Sequence, residues 1–156
     1  MCRMTRRRVL GLVPALAAFA ACGCGNAAGP APVRWGHENC DYCGMIIDDQ
    51  RYAGQLRAPG GKGYKFDDIG CAMMFLAKQA WAEDAGAEIW VGDSESGTWL
   101  AGRAAWYAGG RKTPMAYGFG AVAARRDGAV DFAAFRAAIS AKGSQSRCDP
   151  AAQGNG

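Results

Sequence analysis

The two ends of the chain leave about 110 residues for a folded domain, close to the usual domain size. Residues 1–21 contain four arginines followed by an apolar run, Val9 to Ala21. That run is typical of a signal peptide and is too short for an ordinary transmembrane helix, which needs roughly 20 residues. The small residues before Cys22 predict a lipoprotein signal with Cys22 lipidated. A plain secretory cleavage is the alternative, and Sec and twin-arginine export both stay open.

Small and polar residues flank the predicted domain on both sides. After Cys22, residues 22–32 contain the small-residue stretch NAAGPAP, which predicts a linker. Residues 142–156 are polar and glycine-rich and lack hydrophobic periodicity, so they predict a disordered tail. Residues 33–141 therefore form the predicted domain.

The net positive charge of the chain comes from the predicted signal peptide. Of the 18 basic residues, four lie in residues 1–21, whereas none of the 14 acidic residues does. The remaining chain therefore has 14 basic (18 − 4) and 14 acidic residues, and its formal charge is zero. The basic balance gives no reason to expect nucleic acid as a partner.

Short elements with glycine and proline between them predict a mixed fold. Two strand-like runs, Asp48 to Arg57 and Gly63 to Phe66, flank a Pro/Gly cluster and predict a β-hairpin. A helix is predicted over Ile69 to Glu83 with Asp68 as its N-cap, and Glu88 to Gly92 follows as a strand. The first half thus has the order ββαβ.

A second round of short elements follows the first. Strands are predicted at Thr98 to Leu100 and within Ala116 to Ala124, and a helix is predicted over Asp131 to Ser140. Strands and helices of this length, in this order, predict a small α+β protein.

Several kinds of active site are missing from the sequence. His37 is the only histidine, so neither a multi-histidine zinc centre nor an HExxH motif can exist. The phosphate-binding motifs GxxxxGK[ST] and GxGxxG are also absent. The adjacent carboxylates at residues 48–49 and 67–68 favour helix caps and turn edges over an acid/base pair. The residues do not indicate an enzyme.

Sulfur is the donor that the chain offers instead. Thiolates and thioethers are soft ligands that select Cu(I). Cys40 and Cys43 form a CxxC pair that fits half of a zinc site, a redox pair or a plain disulfide. A second CxxC half is missing, and the residues after Cys43 predict a turn into an extended segment instead of a helix. Met45 favours a metal, because a thioether two residues beyond Cys43 can lie on the same face of an extended segment.

Two further sulfur residues need an interpretation. Met115 lies in a loop rich in proline and glycine, where either metal binding or packing can explain it. Cys71 occurs early in the predicted helix, and its position favours a small buried residue over a ligand.

Five motifs in order resemble a known family. They are CDYCGMIIDD, GGKGYKFDDIGCAMMFL, VGDSESGTWLAGRAAWY and TPMAYGFGA, preceded by the lipoprotein signal. Together they resemble the NosL family, the nitrous oxide reductase accessory lipoproteins, and the match runs from about Cys40 to Asp131, most of the predicted domain. The resemblance implies two small ββαβ units packed as one compact domain.

The resemblance also implies a function and a site. Members of the family are periplasmic Cu(I)-binding metallochaperones that serve the assembly of nitrous oxide reductase together with a membrane transporter complex. The CGM element implicates Cys43 and Met45, and the PMxYG element implicates Met115. Cys40 and His37 are further candidates for the ligand shell.

The expected function is therefore Cu(I) delivery by a protein anchored through lipid on the periplasmic face of a bacterial membrane. Two alternatives belong to other classes of protein. One is a periplasmic thiol-disulfide oxidoreductase that uses Cys40 and Cys43. The other is an enzyme similar to organomercurial lyases, which the sequence disfavours because it shows no clear trio of protonating and cleaving residues.

Overall fold

A computed structural model describes residues 29–145 and confirms the α+β class. The described part of the chain contains two helices and two antiparallel sheets. In chain order, the elements are β1 (Gly54–Arg57), β2 (Gly63–Phe66), α1 (Ile69–Leu76), β3 (Glu88–Gly92), β4 (Trp99–Ala101), β5 (Trp106–Ala108), β6 (Gly120–Val122), β7 (Ala129–Val130) and α2 (Phe132–Lys142).

The first sheet has the strand order β2-β1-β3-β4. Strands β1 and β2 form the predicted hairpin, with Gly54 opposite Phe66 in the register. The prediction started this strand too early, at Asp48. Residues 49–52 form a turn instead, because the Asp49 carboxylate accepts hydrogen bonds from the backbone N–H and the guanidinium of Arg51. Such local bonds from Asp compete with strand pairing.

Helix α1 begins as predicted and ends early. The Asp68 carboxylate accepts a hydrogen bond from the backbone N–H of Gly70, which confirms Asp68 as the N-cap. The helix was predicted to reach Glu83, but it ends at Leu76. The next backbone N–H groups, those of Lys78 and Gln79, bond to carbonyls three residues back, so the chain tightens into turns.

The second sheet has the strand order β6-β5-β7 and is followed by α2. Asp131 caps this helix by accepting a hydrogen bond from the backbone N–H of Ala134 at 2.9 Å. The second half thus has the order βββα, whereas the resemblance implied ββαβ. The difference lies in α2, which follows all three strands of this sheet and is the last element within residues 29–145. The short strands β5 and β7 were not predicted from the sequence.

One hydrophobic core contains residues of both sheets and both helices. The rings of Tyr107 on β5 and Phe135 on α2 stack with centroids 3.9 Å apart. Between the sheets, the backbone N–H of Ser94 donates to the carbonyl of Ala121 at 2.8 Å, beside a parallel bridge from Asp93 to Ala121. The two halves therefore pack together, and the N-terminus of α1 lies where they meet.

Both flanking segments contact the domain where the structure describes them. At the N-terminal side, Gln55 on β1 exchanges two hydrogen bonds with the backbone of Ala31, at 2.8 and 2.9 Å. At the C-terminal side, the Ser144 hydroxyl accepts a hydrogen bond from Tyr42 at 2.8 Å. These contacts place the end of the predicted linker and the start of the predicted tail against the domain.

The predicted signal peptide and Cys22 lie outside the described residues. Within residues 29–145, neither helix is long and apolar enough to cross a membrane.

Candidate metal centre

The CxxC pair lies in a tight loop that is docked on β2. The backbone N–H of Cys40 donates to the carbonyl of Met45 at 2.8 Å, and that of Gly44 donates to the carbonyl of Cys40 at 3.0 Å. Gly44 has a φ of 76°, a conformation that residues with a Cβ rarely adopt. Asp41 and Lys65 exchange hydrogen bonds that hold the loop against the sheet. The loop is a turn, as expected, and no helix begins at either cysteine of the pair.

This geometry separates the sulfur atoms by burial. Cys40 and Cys43 are 4% and 8% exposed, whereas Met45 is 57% exposed. The loop therefore directs two thiols into the protein and leaves the thioether at the surface.

Helix α1 supplies the remaining donors of a buried cluster. Asp67 precedes the helix, and Cys71 lies in its first turn, fully buried. The three Sγ atoms of Cys40, Cys43 and Cys71 and a carboxylate oxygen of Asp67 all lie within 4.8 Å of one another. None of the three cysteines is part of a disulfide. Four donor atoms this close together are able to hold one metal ion.

Hydrogen bonds connect the members of the cluster. The Cys43 thiol donates to the Asp67 carboxylate with Sγ and Oδ1 3.3 Å apart. The backbone N–H of Cys43 points at the sulfur of Cys40 at 3.5 Å. The cluster therefore contains donors that favour a negative charge on Cys40.

The electrostatics of the cluster follow from these bonds. Hydrogen bonds from the Cys43 and Cys71 thiols lower the pKa of Cys40 to about 2. The hydrogen bond to Cys40 raises the pKa of Cys43 to about 12, and bonds to both neighbours raise the pKa of Cys71 well above its ordinary range. Burial and then the negative charge of Cys40 raise the pKa of Asp67 to about 7. The lowered pKa favours the thiolate form of Cys40, an anion that would attract a cation into the buried cluster.

Asp68 brings a distant loop to the same place. Its Oδ2 atom accepts hydrogen bonds from the Thr113 hydroxyl at 2.6 Å and from the backbone N–H of Met115 at 3.0 Å. Its Oδ1 atom accepts the helix-capping bond from Gly70 at 2.8 Å. One buried carboxylate therefore fixes the Pro114 loop to the helix that presents Cys71.

The C-terminal end of α2 supports this loop from the other side. The Lys142 ammonium group donates to the backbone carbonyls of Ala116 and Tyr117. Ala116 has a φ of 57°, which is costly for an L-residue and persists where the surroundings hold it. Tyr117 packs against α1 so closely that a Cβ on Gly70 would meet its ring at 2.1 Å. The position of Met115 is therefore set by both helices.

A pocket of about 450 Å³ lies between the CxxC loop and the Pro114 loop. It is lined by Cys43, Met45, Pro114, Met115, Ala116 and Gln145. Cys43 belongs both to this pocket and to the buried cluster. The pocket thus gives the thiol cluster a route to the surface.

The sequence-predicted site residues fall into three groups. Cys43, Met45 and Met115 line the same pocket, although Met115 is about 70 residues distant from the others in the chain. Cys40 lies in the buried cluster behind them. His37 lies in an exposed turn and belongs to neither the pocket nor the cluster.

Sequence reasoning assigned Cys71 to packing and the pair at 67–68 to capping and structure. The structure places Cys71 and Asp67 in the cluster and leaves the capping role to Asp68. The motif DDIGC carried a signal for this arrangement, because a residue before the helix and another in its first turn can face the same neighbour.

The donor set restricts the kinds of metal that fit. Three thiols and one carboxylate match soft and borderline ions such as Cu(I) and Zn(II), and do not match the oxygen-rich shells of Mg²⁺ or Ca²⁺. The thioethers of Met45 and Met115 extend the set toward still softer ions.

Comparisons with protein-family models, with curated proteins and with solved structures give no match to this chain.

Proposed function

We propose that the protein is a Cu(I)-binding metallochaperone. The observation that carries the proposal is the position of Cys43, which lines the pocket with Met45 and Met115 and also belongs to the thiol cluster. A thiolate combined with two thioethers favours Cu(I) over the harder ions that prefer nitrogen and oxygen. Copper is the cargo of such a protein and not a catalytic cofactor.

The exposure of the donor atoms fits a protein that transfers Cu(I) better than one that stores it permanently. A chaperone must hold Cu(I) and yet release it to another protein by exchange of ligands. Met45 is 57% exposed and its neighbour Ile46 is 54% exposed, so a receiving protein can approach the metal from this side. A closed four-thiolate site would offer no such approach.

The place and client of the chaperone are proposed from the resemblance to the NosL family. On this proposal, Cys22 anchors the protein through lipid to the periplasmic face of a bacterial membrane. The receiving partner is nitrous oxide reductase or its membrane transporter complex. More than one lipid chain is needed for stable anchoring, as in bacterial lipoproteins.

The test is the Cu(I) affinity of Met45→Leu and Met115→Leu, measured anaerobically under a competing chelator. Leucine keeps the volume, so the free energy of unfolding should change by less than ~1.5 kcal/mol. The affinity should nevertheless fall by roughly tenfold or more, because a soft donor is lost. Cys43→Ser should nearly abolish binding.

Met73→Leu is the matched control, since Met73 is a buried methionine of α1 outside the pocket. This variant should bind Cu(I) like the wild type. If both pocket variants also keep the wild-type affinity, Met45 and Met115 only pack and the proposal is wrong. A preference of the reduced protein for Zn(II) over Cu(I) would refute it as well.

A second candidate function is thiol-disulfide exchange at Cys40 and Cys43. The observation in its favour is the contact of Cys40 with the Cys43 thiol and, at 3.5 Å, with the Cys43 backbone N–H, both of which lower the pKa of Cys40. Low thiol pKa values are typical of redox-active cysteines. This function requires both cysteines and neither methionine, so the same variants separate it from copper transfer.

A further inference from the structure

We propose that Cys71 completes an inner metal position with Cys40 and Cys43, and that the cargo ion moves between this position and an outer one at Cys43, Met45 and Met115. Cys43 belongs to both positions. The inference rests on the proposed function for the identity of the cargo, but the inner position itself is tested separately below.

The geometry of the inner position comes from the buried cluster. Its three Sγ atoms and the Asp67 oxygen lie within 4.8 Å of one another, so one ion can contact all of the sulfurs after small rotations of the side chains. Packing alone does not require three thiols from two separate segments to converge beside a carboxylate. Cys71 is held there by the capped first turn of α1, because Asp68 fixes the start of the helix.

The geometry of the outer position comes from the pocket. Cys43, Met45 and Met115 line its wall, and Asp68 accepts the backbone N–H of Met115, which ties the Pro114 loop to the same helix end. A single element, the N-terminus of α1, therefore determines the spacing of both positions. The two positions overlap at one sulfur instead of lying apart.

The exposure of the donors increases from the inner position to the outer one. Cys71 is 0% exposed, Cys43 is 8% exposed and Met45 is 57% exposed. An ion that enters at Met45 can bind Cys43 next and then exchange its thioethers for buried thiolates. At no step does it lose every sulfur ligand, because Cys43 stays bound throughout.

The exchange is balanced without any electron transfer. Copper remains Cu(I), one Cu–thioether bond breaks for each Cu–thiolate bond that forms, and a thiol proton leaves to water when its sulfur binds. Release follows the same steps in reverse. Both positions contribute to holding the ion, and the outer one hands it over.

The experiment uses Cd(II) as a probe, since its ultraviolet charge-transfer band grows with each thiolate bound. The full chain is reduced, with Cys2, Cys22, Cys24 and Cys148 replaced by serine, and one equivalent of Cd(II) is added. Cys71→Ala should reduce the band by about one third, as three cluster thiolates become two. Met115→Leu should leave it unchanged, because a thioether gives no thiolate band.

A second measurement follows the release of Cu(I) to a chelator. Cys71→Ala should release the ion roughly tenfold faster than the wild type, because only the outer position retains it. Cys71→Ser is tested in parallel and should behave alike, so that a folding defect of the alanine variant is recognised. Met73→Leu serves as the control on the same helix and should match the wild type.

The results separate the inner position from the proposed function. If both Cys71 variants keep the wild-type Cd(II) band and release rate, the inner position does not exist and Cys71 only packs. If the Cys71 variants show the reduced Cd(II) band while Met45→Leu and Met115→Leu bind Cu(I) normally, the inner position stands as a metal site and the copper-transfer proposal fails.

Discussion

Asp67 and Asp68 are neighbours with different environments and different tasks. Asp67 is 3% exposed and faces thiols, and its carboxylate accepts a hydrogen bond from Cys43. Asp68 is fully buried and accepts hydrogen bonds from Gly70, Thr113 and Met115. The Asp67 carboxylate is therefore a donor of the cluster, whereas the Asp68 carboxylate holds the surrounding backbone in place.

Asp67→Asn should change how stability depends on pH. Burial raises the pKa of Asp67 from 3.8 to about 7, so the folded protein binds the proton more tightly than the unfolded chain. The wild type therefore loses stability from this group as the pH rises from about 4 to about 7. Asparagine cannot lose a proton, so the variant lacks this loss.

The measurement is urea denaturation of the metal-free, reduced proteins at pH 4, 5.5 and 7. The free energy of unfolding of the variant, minus that of the wild type, should increase by about 2 kcal/mol or more as the pH rises from 4 to 7. A difference that stays constant with pH would mean that Asp67 ionises freely in the folded protein.

The cysteines of the site differ in how far their roles could be predicted from the sequence. Cys43 and Met45 are close in the chain, and their common role was inferred from spacing. Cys71 is separated from Cys43 by a hairpin, and the DDIGC motif lets Asp67 and Cys71 face the same neighbour without distinguishing a ligand from a packed thiol. The distinction depends on how the CxxC loop docks on β2 through Lys65, which is a tertiary contact.

At the scale of elements, the N-terminus of α1 organises the site. Its cap is also the anchor of the Pro114 loop, whereas the cap of α2, Asp131, accepts only a local helix-capping bond from Ala134. The two helix caps have the same residue type and a similar local role. They therefore form a matched pair for measuring what the long-range contact contributes.

Asp68→Ala should destabilise the protein more than Asp131→Ala does. Loss of an N-cap costs about 1 kcal/mol, and this is the expected effect at Asp131. At Asp68, the Thr113 hydroxyl and the Met115 N–H also lose a buried acceptor, which adds roughly 1–3 kcal/mol. Chemical denaturation of the two variants measures the difference.

The same pair should differ in metal binding. Asp68→Ala frees the loop that carries Met115, so its Cu(I) affinity should fall severalfold at least, while Asp131→Ala should bind like the wild type. Equal stability losses and equal affinities in the two variants would show that the Asp68 contacts do not position the loop.

The elements were predicted where the pattern was long enough to be specific. The β1–β2 hairpin, the Asp68 cap and β3 follow from turn residues and periodicity. Strands β5 and β7 have only three and two residues, which is too short to show alternation. Helix α1 ends early because turns form after Leu76. The apolar residues beyond Leu76 keep a helical spacing, so the pattern did not indicate these turns.

At the scale of the whole molecule, the candidate centre joins three distant parts of the chain. The CxxC loop, the start of α1 and the Pro114 loop each supply a donor, and the C-terminal end of α2 supports the last of these. A bound ion would link these parts directly. Metal binding should therefore stabilise the complete fold and not only one loop.

Copper should raise the global stability of the reduced protein. At a free Cu(I) concentration one hundred times the dissociation constant, the expected gain is about 2.7 kcal/mol. Denaturation with buffered Cu(I) measures the gain, and hydrogen exchange should show added protection at the backbone of α1 and of residues 113–118. Cys43→Ser, which removes the shared ligand, should show neither effect.

An unchanged midpoint for the wild type in buffered Cu(I) would contradict this prediction. Protection confined to the CxxC loop would contradict it in another way, since the Pro114 loop would then not take part in binding. Met73→Leu should gain as much stability from copper as the wild type does.

The convergence of three thiols also means that oxidation should affect the metal-free centre and the metal-bound centre differently. Any two of Cys40, Cys43 and Cys71 can pair on oxidation, and the third is then left over beside them. That remaining thiol can attack the new disulfide and exchange partners, so the oxidised protein would interconvert among three pairings. An ion in the proposed inner position would occupy all three sulfurs at once and protect them from oxidation. If the protein carries copper in an oxidising compartment, as proposed, the metal-free form would therefore lose reduced thiols with time and the copper-bound form would not. Prompt reloading would then preserve its capacity to bind the ion.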